Sequence, residues 1–144
     1  MPTEHGPIER KTVADISTSP YPLPASFEWD SLDMTDAKCV SEVYSLLYDN
    51  YVEDDDNMFR FDYSADFLKW ALMPPGFRKE WHVGVRSSAN KKLVAFISGI
   101  PQKMRVYAEE VMMVEINYLS VKHTHTSAAV QQCAEGAESA RNAD

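Results

Sequence analysis

The sequence has little cysteine, no cluster of basic residues and no long apolar run, and each absence excludes a class of protein. Its two cysteines, Cys39 and Cys133, lie far apart and form no Cys-x-x-Cys pair. No signal peptide precedes them, so we expect reduced thiols in a cytoplasmic protein, with no disulfide and no metal site. The longest apolar stretch, residues 93–100, contains Ser98 and Gly99 and is too short to cross a bilayer. We therefore expect a soluble chain.

Basic residues are outnumbered by acidic ones, because 14 Lys and Arg stand against 22 Asp and Glu, for a net charge of -8. Nucleic-acid binding needs clustered Lys and Arg to neutralise phosphates, so this charge excludes that class and favours a basic or neutral partner. What is present is ordinary for a folded protein, with 44% hydrophobic and 25% charged residues. At 144 residues, the chain has the length of about one domain.

The two ends of the chain differ in composition from its middle. Residues 1–35 contain five prolines and few periodic apolar positions, which predicts an extended arm anchored by Phe27, Trp29 and Leu32. Residues 122–144 are rich in Ala, Ser, Gln and Glu and hold almost no large apolar residue, which predicts a divergent tail that is disordered or weakly helical. The folded part is expected between them.

Two helices are predicted in the first half of that folded part. A cap at Thr35 or Asp36 begins a helix that runs to about Tyr48. Its apolar residues recur at helical spacing and form one buried face: Val40, Val43, Tyr44 and Leu47. Ser64 caps a shorter helix, which residues 74–76 end with Pro-Pro-Gly. One side of it carries Phe67, Trp70 and Ala71.

The second half is rich in β-branched and aromatic residues. Strands are predicted over residues 81–86, 92–100, 102–107 and 111–121, with Pro101 separating the second from the third. Their short connections predict antiparallel neighbours. The fold class is therefore α+β, with two helices packed on one face of a four-stranded, mainly antiparallel sheet and with further elements needed to cover the other face.

Residues 51–64 place an acidic run beside alternating aromatics, YVEDDDNMFRFDYS. Carboxylates accept hydrogen bonds from an ammonium or guanidinium group, and Phe59, Phe61 and Tyr63 would line one face of an extended segment, as in the wall of a groove for a basic peptide. The alternative is a solvated acidic turn followed by an ordinary strand. The spacing of the acids does not match an EF-hand, which argues against a calcium-binding module.

The last predicted strand contains one polar residue, Asn117, among apolar ones. Either this is a core strand with Asn117 at its exposed rim, or the strand leaves its neighbour here. In the second case the backbone N–H groups of Tyr118 and Leu119 would form an oxyanion hole for a thioester oxygen. His82, His123 and His125 have no Ser or Cys at a diagnostic spacing, so we expect no covalent nucleophile.

Several motifs together resemble the eukaryotic glycylpeptide N-tetradecanoyltransferases, or N-myristoyltransferases. They are residues 51–64, residues 70–76 with Trp-Ala-Leu and Pro-Pro-Gly, residues 81–86 with WHVGVR, and residues 114–121 with VEINYLSV. The resemblance extends in order from His5-Gly6-Pro7-Ile8 to Val121. It implies an acyl-CoA N-acyltransferase (GNAT-like) fold of two pseudo-symmetric halves, of which residues 36–121 would form a partial N-terminal half.

The resemblance also implies a function and a set of site residues. A tetradecanoyl group would pass from myristoyl-CoA to the amine of an N-terminal glycine, by direct attack on the thioester and without a prosthetic group. The peptides would often carry a downstream basic residue. The implied catalytic residues are Asn117, Tyr118 and Leu119, and the implied acyl-CoA contacts are Tyr118, Leu119, Ser120 and Val121. The implied peptide-binding residues are Tyr51, Val52, Glu53, Asp54, Asp55, Asp56, Phe59, Phe61 and Tyr63.

The chain departs from the family after Val121. The family continues into a basic loop that holds the coenzyme A phosphates, where this chain has Lys-His-Thr-His-Thr-Ser at residues 122–127. The family's second half, whose C-terminal carboxylate takes the proton from the glycine amine, has no counterpart here. Loss of a general base commonly lowers a rate by about a hundredfold to ten-thousandfold, so we expect a truncated enzyme of impaired activity. The alternative is a non-catalytic form that binds basic N-terminal peptides or other partners.

Overall fold

Four strands form one antiparallel sheet, in the same order as they occur along the chain. The computed structural model describes residues 12–15, 19–51 and 61–122. The elements are β1 (Phe27–Ser31), α1 (Ala37–Asn50), α2 (Ala65–Leu72), β2 (His82–Ser87), β3 (Leu93–Val106) and β4 (Glu109–Val121), with short 3-10 helices at Val13–Asp15 and Lys79–Trp81. No helix in this described part is long and apolar enough to span a membrane.

Both predicted helix caps are confirmed. The Asp36 side chain accepts a hydrogen bond from the Lys38 amide at 3.0 Å and begins α1. The Ser64 hydroxyl accepts one from the Phe67 amide at 3.2 Å and begins α2. Such caps satisfy N–H groups that have no partner inside the first turn. The buried residues of the two helices are Val40, Val43, Leu46, Leu47, Leu68 and Leu72.

The sheet has four strands, as predicted, but the predicted division of residues 92–107 into two strands is wrong, and one strand comes from the N-terminal arm. β3 runs without interruption through Pro101, which we expected to separate two strands. Pro101 lies beyond Ser98, the last residue of β3 paired with β2, so β3 has an open edge at this point. Open edges are where sheets tolerate proline, because no neighbouring strand needs the missing N–H group.

The fourth strand comes from the predicted arm. Phe27–Ser31 forms β1 and pairs antiparallel with β2, with Trp29 opposite Val85. Sequence periodicity did not identify this strand because its partner lies more than fifty residues away, and only the folded chain brings the two together. The anchor role expected of Phe27, Trp29 and Leu32 is confirmed, since all three pack against the core.

The two faces of the sheet are covered by different parts of the chain. Phe96 of β3 packs with Leu32, Met34 and the buried residues of α1 and α2. Its neighbour Ala95 points to the opposite face, as successive strand residues do, and lies in a second cluster with Val85, Val94 and Val121. Three residues of the N-terminal segment pack against this second cluster: Leu23, Phe27 and Trp29. The helices therefore cover one face, and the N-terminal segment helps to cover the other.

A partly buried ion-pair network joins β1, β2 and α1. Arg86 donates from Nε to the Asp30 carboxylate at 2.5 Å and from Nη2 to the Glu42 carboxylate at 2.7 Å. Its Nη1 donates to the Lys91 carbonyl at 2.8 Å. The Glu42 carboxylate is the largest cause of a raised Arg86 pKa, ahead of the opposing effect of burial. The guanidinium thus pairs with carboxylates from β1 and α1, with only 14% of its side chain exposed.

Two titratable side chains stabilise the connections beside α1 and α2. Asp33 accepts hydrogen bonds from the Thr35 hydroxyl at 2.6 Å and from Lys79 Nζ at 3.1 Å. These donors, the Thr35 hydroxyl first, lower the pKa of Asp33 from 3.8 to about 2. His82 is fully buried and stacks on Phe77, with ring centroids 5.9 Å apart. Burial is the largest influence on the pKa of His82 and lowers it, against the opposing effect of a backbone hydrogen bond with Leu72.

Candidate functional site

β4 leaves regular pairing at Tyr118. Ser98 of β3 lies opposite Asn117, whereas Phe96 lies opposite Ser120. One residue of β3 therefore faces two residues of β4, Tyr118 and Leu119, which defines a β-bulge. Tyr118 has a positive φ of 56°, a conformation that costs a residue with a Cβ atom about 1 to 2 kcal/mol. The departure from regular pairing expected at these two residues is present, while the role of their N–H groups stays a prediction.

The peptide between Asn117 and Tyr118 makes side-chain hydrogen bonds at both of its polar groups. Its carbonyl accepts a hydrogen bond from the Ser98 hydroxyl at 3.0 Å. Its N–H group, on Tyr118, donates to Oδ1 of Asn117 at 2.8 Å. The same Oδ1 lies 3.5 Å from the Tyr51 hydroxyl, which donates toward it. Two side chains, Ser98 of β3 and Asn117 of β4, thus hold this peptide, and Tyr51 at the end of α1 contacts the Asn117 side chain.

A groove of about 500 Å³ opens beside this peptide. One wall comes from α2 and the turn that follows it: Phe67, Trp70, Ala71, Met73, Pro74 and Pro75. The other wall comes from β3 and β4: Ile100, Gln102, Glu115, Asn117 and Tyr118. Gln102 donates to the Glu115 carboxylate at 3.1 Å, which orients that acid on the strand side of the groove. The groove therefore combines an apolar wall with a polar one, as ligand sites commonly do.

Aromatic rings in contact extend from the bulge to the surface of α2. Tyr63 meets Tyr118 edge to face, with centroids 5.4 Å apart, and stacks on both Phe61 at 5.7 Å and Phe67 at 5.4 Å. Phe67 in turn contacts Trp70, whose side chain is 74% exposed. An exposed tryptophan at the rim of an apolar groove offers a binding surface, because aromatic side chains carry much of the affinity of many interfaces.

The structure brings three of the predicted peptide-binding residues to this site. Tyr51 packs 6.0 Å from Tyr118 and 6.1 Å from Tyr63 between ring centroids, and Phe61 stacks on Tyr63. The other six lie outside the described residues: Val52, Glu53, Asp54, Asp55, Asp56 and Phe59. The three described aromatics are thus collected around Tyr118.

The two tyrosines nearest the bulge are neutral at physiological pH. Burial is the largest cause of a raised pKa for both Tyr51 and Tyr118, and the neighbouring Tyr63 adds to it. A neutral phenol both donates and accepts hydrogen bonds. Tyr51 can therefore donate to Asn117, as the hydrogen bond at 3.5 Å indicates.

The predicted acyl-CoA residues differ in their exposure. The side chains of Ser120 and Val121 are buried, and the Ser120 hydroxyl has no partner among the described residues. Leu119 is exposed. Contact of acyl-CoA with the backbone of Ser120 and Val121, which the family resemblance implies, therefore stays a prediction, whereas the exposed Leu119 is open to a ligand.

Sequence reasoning missed Ser98 and Gln102. Ser98 is 1% exposed and contacts the peptide that precedes Tyr118, and Gln102 orients Glu115. A signal for Ser98 was available, since it is a polar residue inside the longest apolar stretch of the chain. Most buried hydroxyls have a hydrogen-bond partner, so a serine inside an apolar stretch indicates a specific contact.

Comparison with known sequences identifies one family model and several related proteins that agree with each other. The family described as Myristoyl-CoA:protein N-myristoyltransferase, N-terminal domain, matches residues 7–132. The glycylpeptide N-tetradecanoyltransferase of Dictyostelium discoideum is 61% identical over 118 residues, which are 82% of this chain and 29% of that protein. Glycylpeptide N-tetradecanoyltransferase 2 of Danio rerio is 58% identical over 119 residues, covering 83% of this chain and 24% of that protein.

Solved structures agree with the sequence comparison. Saccharomyces cerevisiae N-myristoyltransferase with bound myristoyl-CoA superposes with a TM-score of 0.90 at 43% identity, covering 99% of this chain and 33% of that one. The fold class expected from the sequence, helices packed on a mainly antiparallel sheet of the N-acyltransferase type, is confirmed. This chain spans less than a third of the length of the curated relatives described above.

Proposed function

Because this chain belongs to the N-myristoyltransferase family, we propose that it contributes to the transfer of a tetradecanoyl group from myristoyl-CoA to the amine of an N-terminal glycine. Within that reaction the described residues would supply the oxyanion hole and two walls of the peptide groove. The bulge at Tyr118 is the observation that carries this proposal, since it removes a backbone N–H group from the ladder beside an open groove.

The proposed chemistry is a direct acyl transfer. The glycine amine attacks the thioester carbonyl, a C–N bond forms, and the carbonyl electron pair moves to oxygen. The N–H groups of Tyr118 and Leu119 stabilise that negative oxygen until the carbonyl re-forms and the C–S bond breaks. Coenzyme A leaves as its thiolate, the attacking nitrogen loses one proton, and the thiolate takes up one proton, so that an amide and a thiol result. Each such donor typically lowers the barrier by about 3 to 4 kcal/mol. No covalent enzyme intermediate is needed.

Asn117 would have two successive roles in this scheme. The Oδ1 of Asn117 accepts the Tyr118 N–H at 2.8 Å, which gives that donor a partner within the chain. When the thioester oxygen takes that N–H, the Asn117 amide is released into the groove, where its oxygen can accept a hydrogen bond from the glycine amine. The Tyr51 hydroxyl, 3.5 Å away, limits how far the amide moves.

The peptide would lie in the groove between α2 and β4. Its apolar part would contact Phe67 and Trp70, and Glu115 would offer a carboxylate to a cationic group. Exposed ion pairs of this kind contribute about 0.2 to 1 kcal/mol each, so they select among peptides without supplying tight binding. We propose that the predicted acids Asp54, Asp55 and Asp56 add to this selection for a downstream basic residue. The cytoplasmic location stays a prediction.

A second function is favoured by the groove, because described residues of this chain line two of its walls. These two walls come from residues 67–75 and 100–118. A non-catalytic form could therefore bind basic N-terminal peptides without acyl-CoA. The two functions differ in one property, since a peptide-binding form has no need to bind the acyl donor.

The test is calorimetric titration of the chain, shown to be folded by circular dichroism, with a non-hydrolysable myristoyl-CoA analogue. We expect a dissociation constant of about 1 µM or tighter, which corresponds to about -8 kcal/mol. Coenzyme A without the acyl chain is the matched control and should bind more weakly, because it lacks the tetradecanoyl group. A folded chain that binds neither compound, but binds a glycine peptide with a downstream Lys better than the same peptide with Glu, would overturn the acyl-transfer proposal.

A further inference from the structure

Ser98 contacts the one peptide whose N–H group is central to the proposed function. It lies in β3 directly opposite Asn117, at the edge of the bulge, and is 1% exposed. Its hydroxyl donates to the Asn117 carbonyl at 3.0 Å. A hydroxyl in this apolar surrounding is unfavourable without such a partner, so the contact holds both groups in place.

The geometry of a peptide transmits this contact to the other side of the bond. A trans peptide is planar, and its C=O and N–H groups point in opposite directions. When Ser98 holds the Asn117 carbonyl, the Tyr118 N–H must point away from Ser98. That N–H meets Oδ1 of Asn117, a residue of the groove wall. The hydroxyl on one side of the peptide therefore sets the direction of the donor on the other.

The bulge makes this control necessary. In a regular antiparallel ladder, neighbouring strands orient every peptide, but Tyr118 has left the ladder and has a positive φ of 56°. A peptide next to a residue in that conformation can rotate toward a more favourable backbone geometry unless side chains prevent it. Ser98 acts on the carbonyl side and Asn117 on the N–H side.

We propose that Ser98 is a positioning residue, which holds the Asn117 carbonyl so that the Tyr118 N–H is directed into the groove. Its relevance to catalysis rests on the proposed function, but its effect on the backbone does not. A hydrogen bond donated to a carbonyl also polarises the peptide and strengthens its N–H as a donor. Ser98 would thus improve both the direction and the strength of the oxyanion contact without touching the substrate.

The test compares Ser98→Thr with Ser98→Val in the full chain. The two variants have nearly the same shape, and only threonine keeps the hydroxyl, so added bulk affects both alike. Selective ¹⁵N labelling of the seven tyrosines gives a simple amide spectrum, in which Tyr118→Phe identifies the Tyr118 signal. Amide hydrogen exchange then measures how often the Tyr118 N–H loses its partner, and the Tyr44 amide within α1 reports global opening.

We expect the Tyr118 amide to exchange about five- to tenfold faster in S98V than in S98T, as loss of one hydrogen bond predicts, while the Tyr44 amide is unchanged. Equal Tyr118 exchange in two folded variants would overturn the proposal. Should S98V not fold, Ser98→Ala serves as the smaller variant without a hydroxyl.

The hydrogen-exchange measurement needs no acyl-CoA, so it tests the positioning role of Ser98 separately from the proposed acyl transfer. A wild-type chain that binds no acyl-CoA analogue would refute the proposed function and leave the exchange result to decide the role of Ser98. In a chain that transfers the acyl group, S98V should lower kcat by about tenfold to a hundredfold relative to S98T with KM unchanged, because a misdirected donor acts in the transition state. A change in KM alone would overturn the positioning role.

Discussion

Replacing Tyr118 by glycine should destabilise the protein less than replacing it by alanine, the reverse of the usual order. Both substitutions remove a ring that is 8% exposed and meets Tyr63 edge to face at 5.4 Å. Loss of a buried aromatic side chain typically lowers the free energy of unfolding by about 3 to 5 kcal/mol. This loss is common to both variants, so their difference isolates the backbone.

The backbone difference follows from φ at Tyr118. At 56°, alanine retains a left-handed penalty of about 1 to 2 kcal/mol, which glycine does not have. Glycine loses more conformational freedom on folding, which costs about 0.5 to 1 kcal/mol relative to alanine. The net expectation is that Y118G is more stable than Y118A by about 0 to 1.5 kcal/mol, with a midpoint of about 0.75 kcal/mol.

Urea denaturation measures this difference, with equal m-values for the two variants as the check that both unfold alike. Met112 is the matched control, because it is exposed on β4 and pairs regularly with Lys103. At that position M112A should be the more stable variant, by about 0.5 to 1 kcal/mol. The stability difference between the alanine and glycine variants is then compared at the two positions. If alanine is favoured at position 118 as much as at position 112, the positive φ of Tyr118 is wrong.

Three further predictions concern charged and titratable groups. Arg86→Met should lower the free energy of unfolding by about 1 to 3 kcal/mol, because two partly buried carboxylates lose their partner. Lys103→Ala removes one partner of an exposed ion pair, so in the same urea titration it should change the free energy of unfolding by less than about 1 kcal/mol. His82 has a folded pKa below its ordinary value of 6.5, so the unfolded chain binds more protons and stability should fall as the pH drops below 6.5. In the wild type, the unfolding temperature should therefore decrease between pH 7 and pH 5, and His82→Met should make this decrease smaller. An equal decrease in both proteins would contradict the prediction. Asp33 has a pKa of about 2 in the folded chain, compared with its ordinary value of 3.8. Its contribution to the free energy of unfolding is therefore present above pH 4 and should disappear as the pH falls toward 2. Asp33→Asn should remove this pH dependence from an acid titration followed by circular dichroism.

Local chemistry was sufficient to predict much of the secondary structure. The caps at Asp36 and Ser64 were identified correctly because a short polar side chain next to a helix start acts on its own neighbours. The antiparallel pairing of β2 with β3, and of residues 102–106 with the start of β4, followed from short connections, which leave adjacent strands little choice of direction. Phe61 and Tyr63 near Tyr118 were singled out by their alternation in the sequence, and the family motif added Tyr51.

Contacts between distant residues decided the rest. The pairing of β1 with β2, the continuity of β3 through Pro101 and the burial of Leu68 rather than Phe67 in α2 all depend on neighbours that are remote in sequence. No local propensity favours Pro101 within a strand. Proline is tolerated there because the pairing of β3 with β2 stops at Ser98, so no β2 residue needs an N–H group from Pro101.

The sequence by itself determined the family, the helix boundaries and the residue types available for a site, because motifs, caps and turns act over a few neighbouring positions. Only the tertiary structure decided the direction of the Tyr118 N–H. That direction depends on a hydroxyl of β3, Ser98, meeting a carbonyl of β4 at 3.0 Å across a bulge. A planar peptide converts this one contact into the orientation of its opposite group, and no pattern along a single strand contains that information.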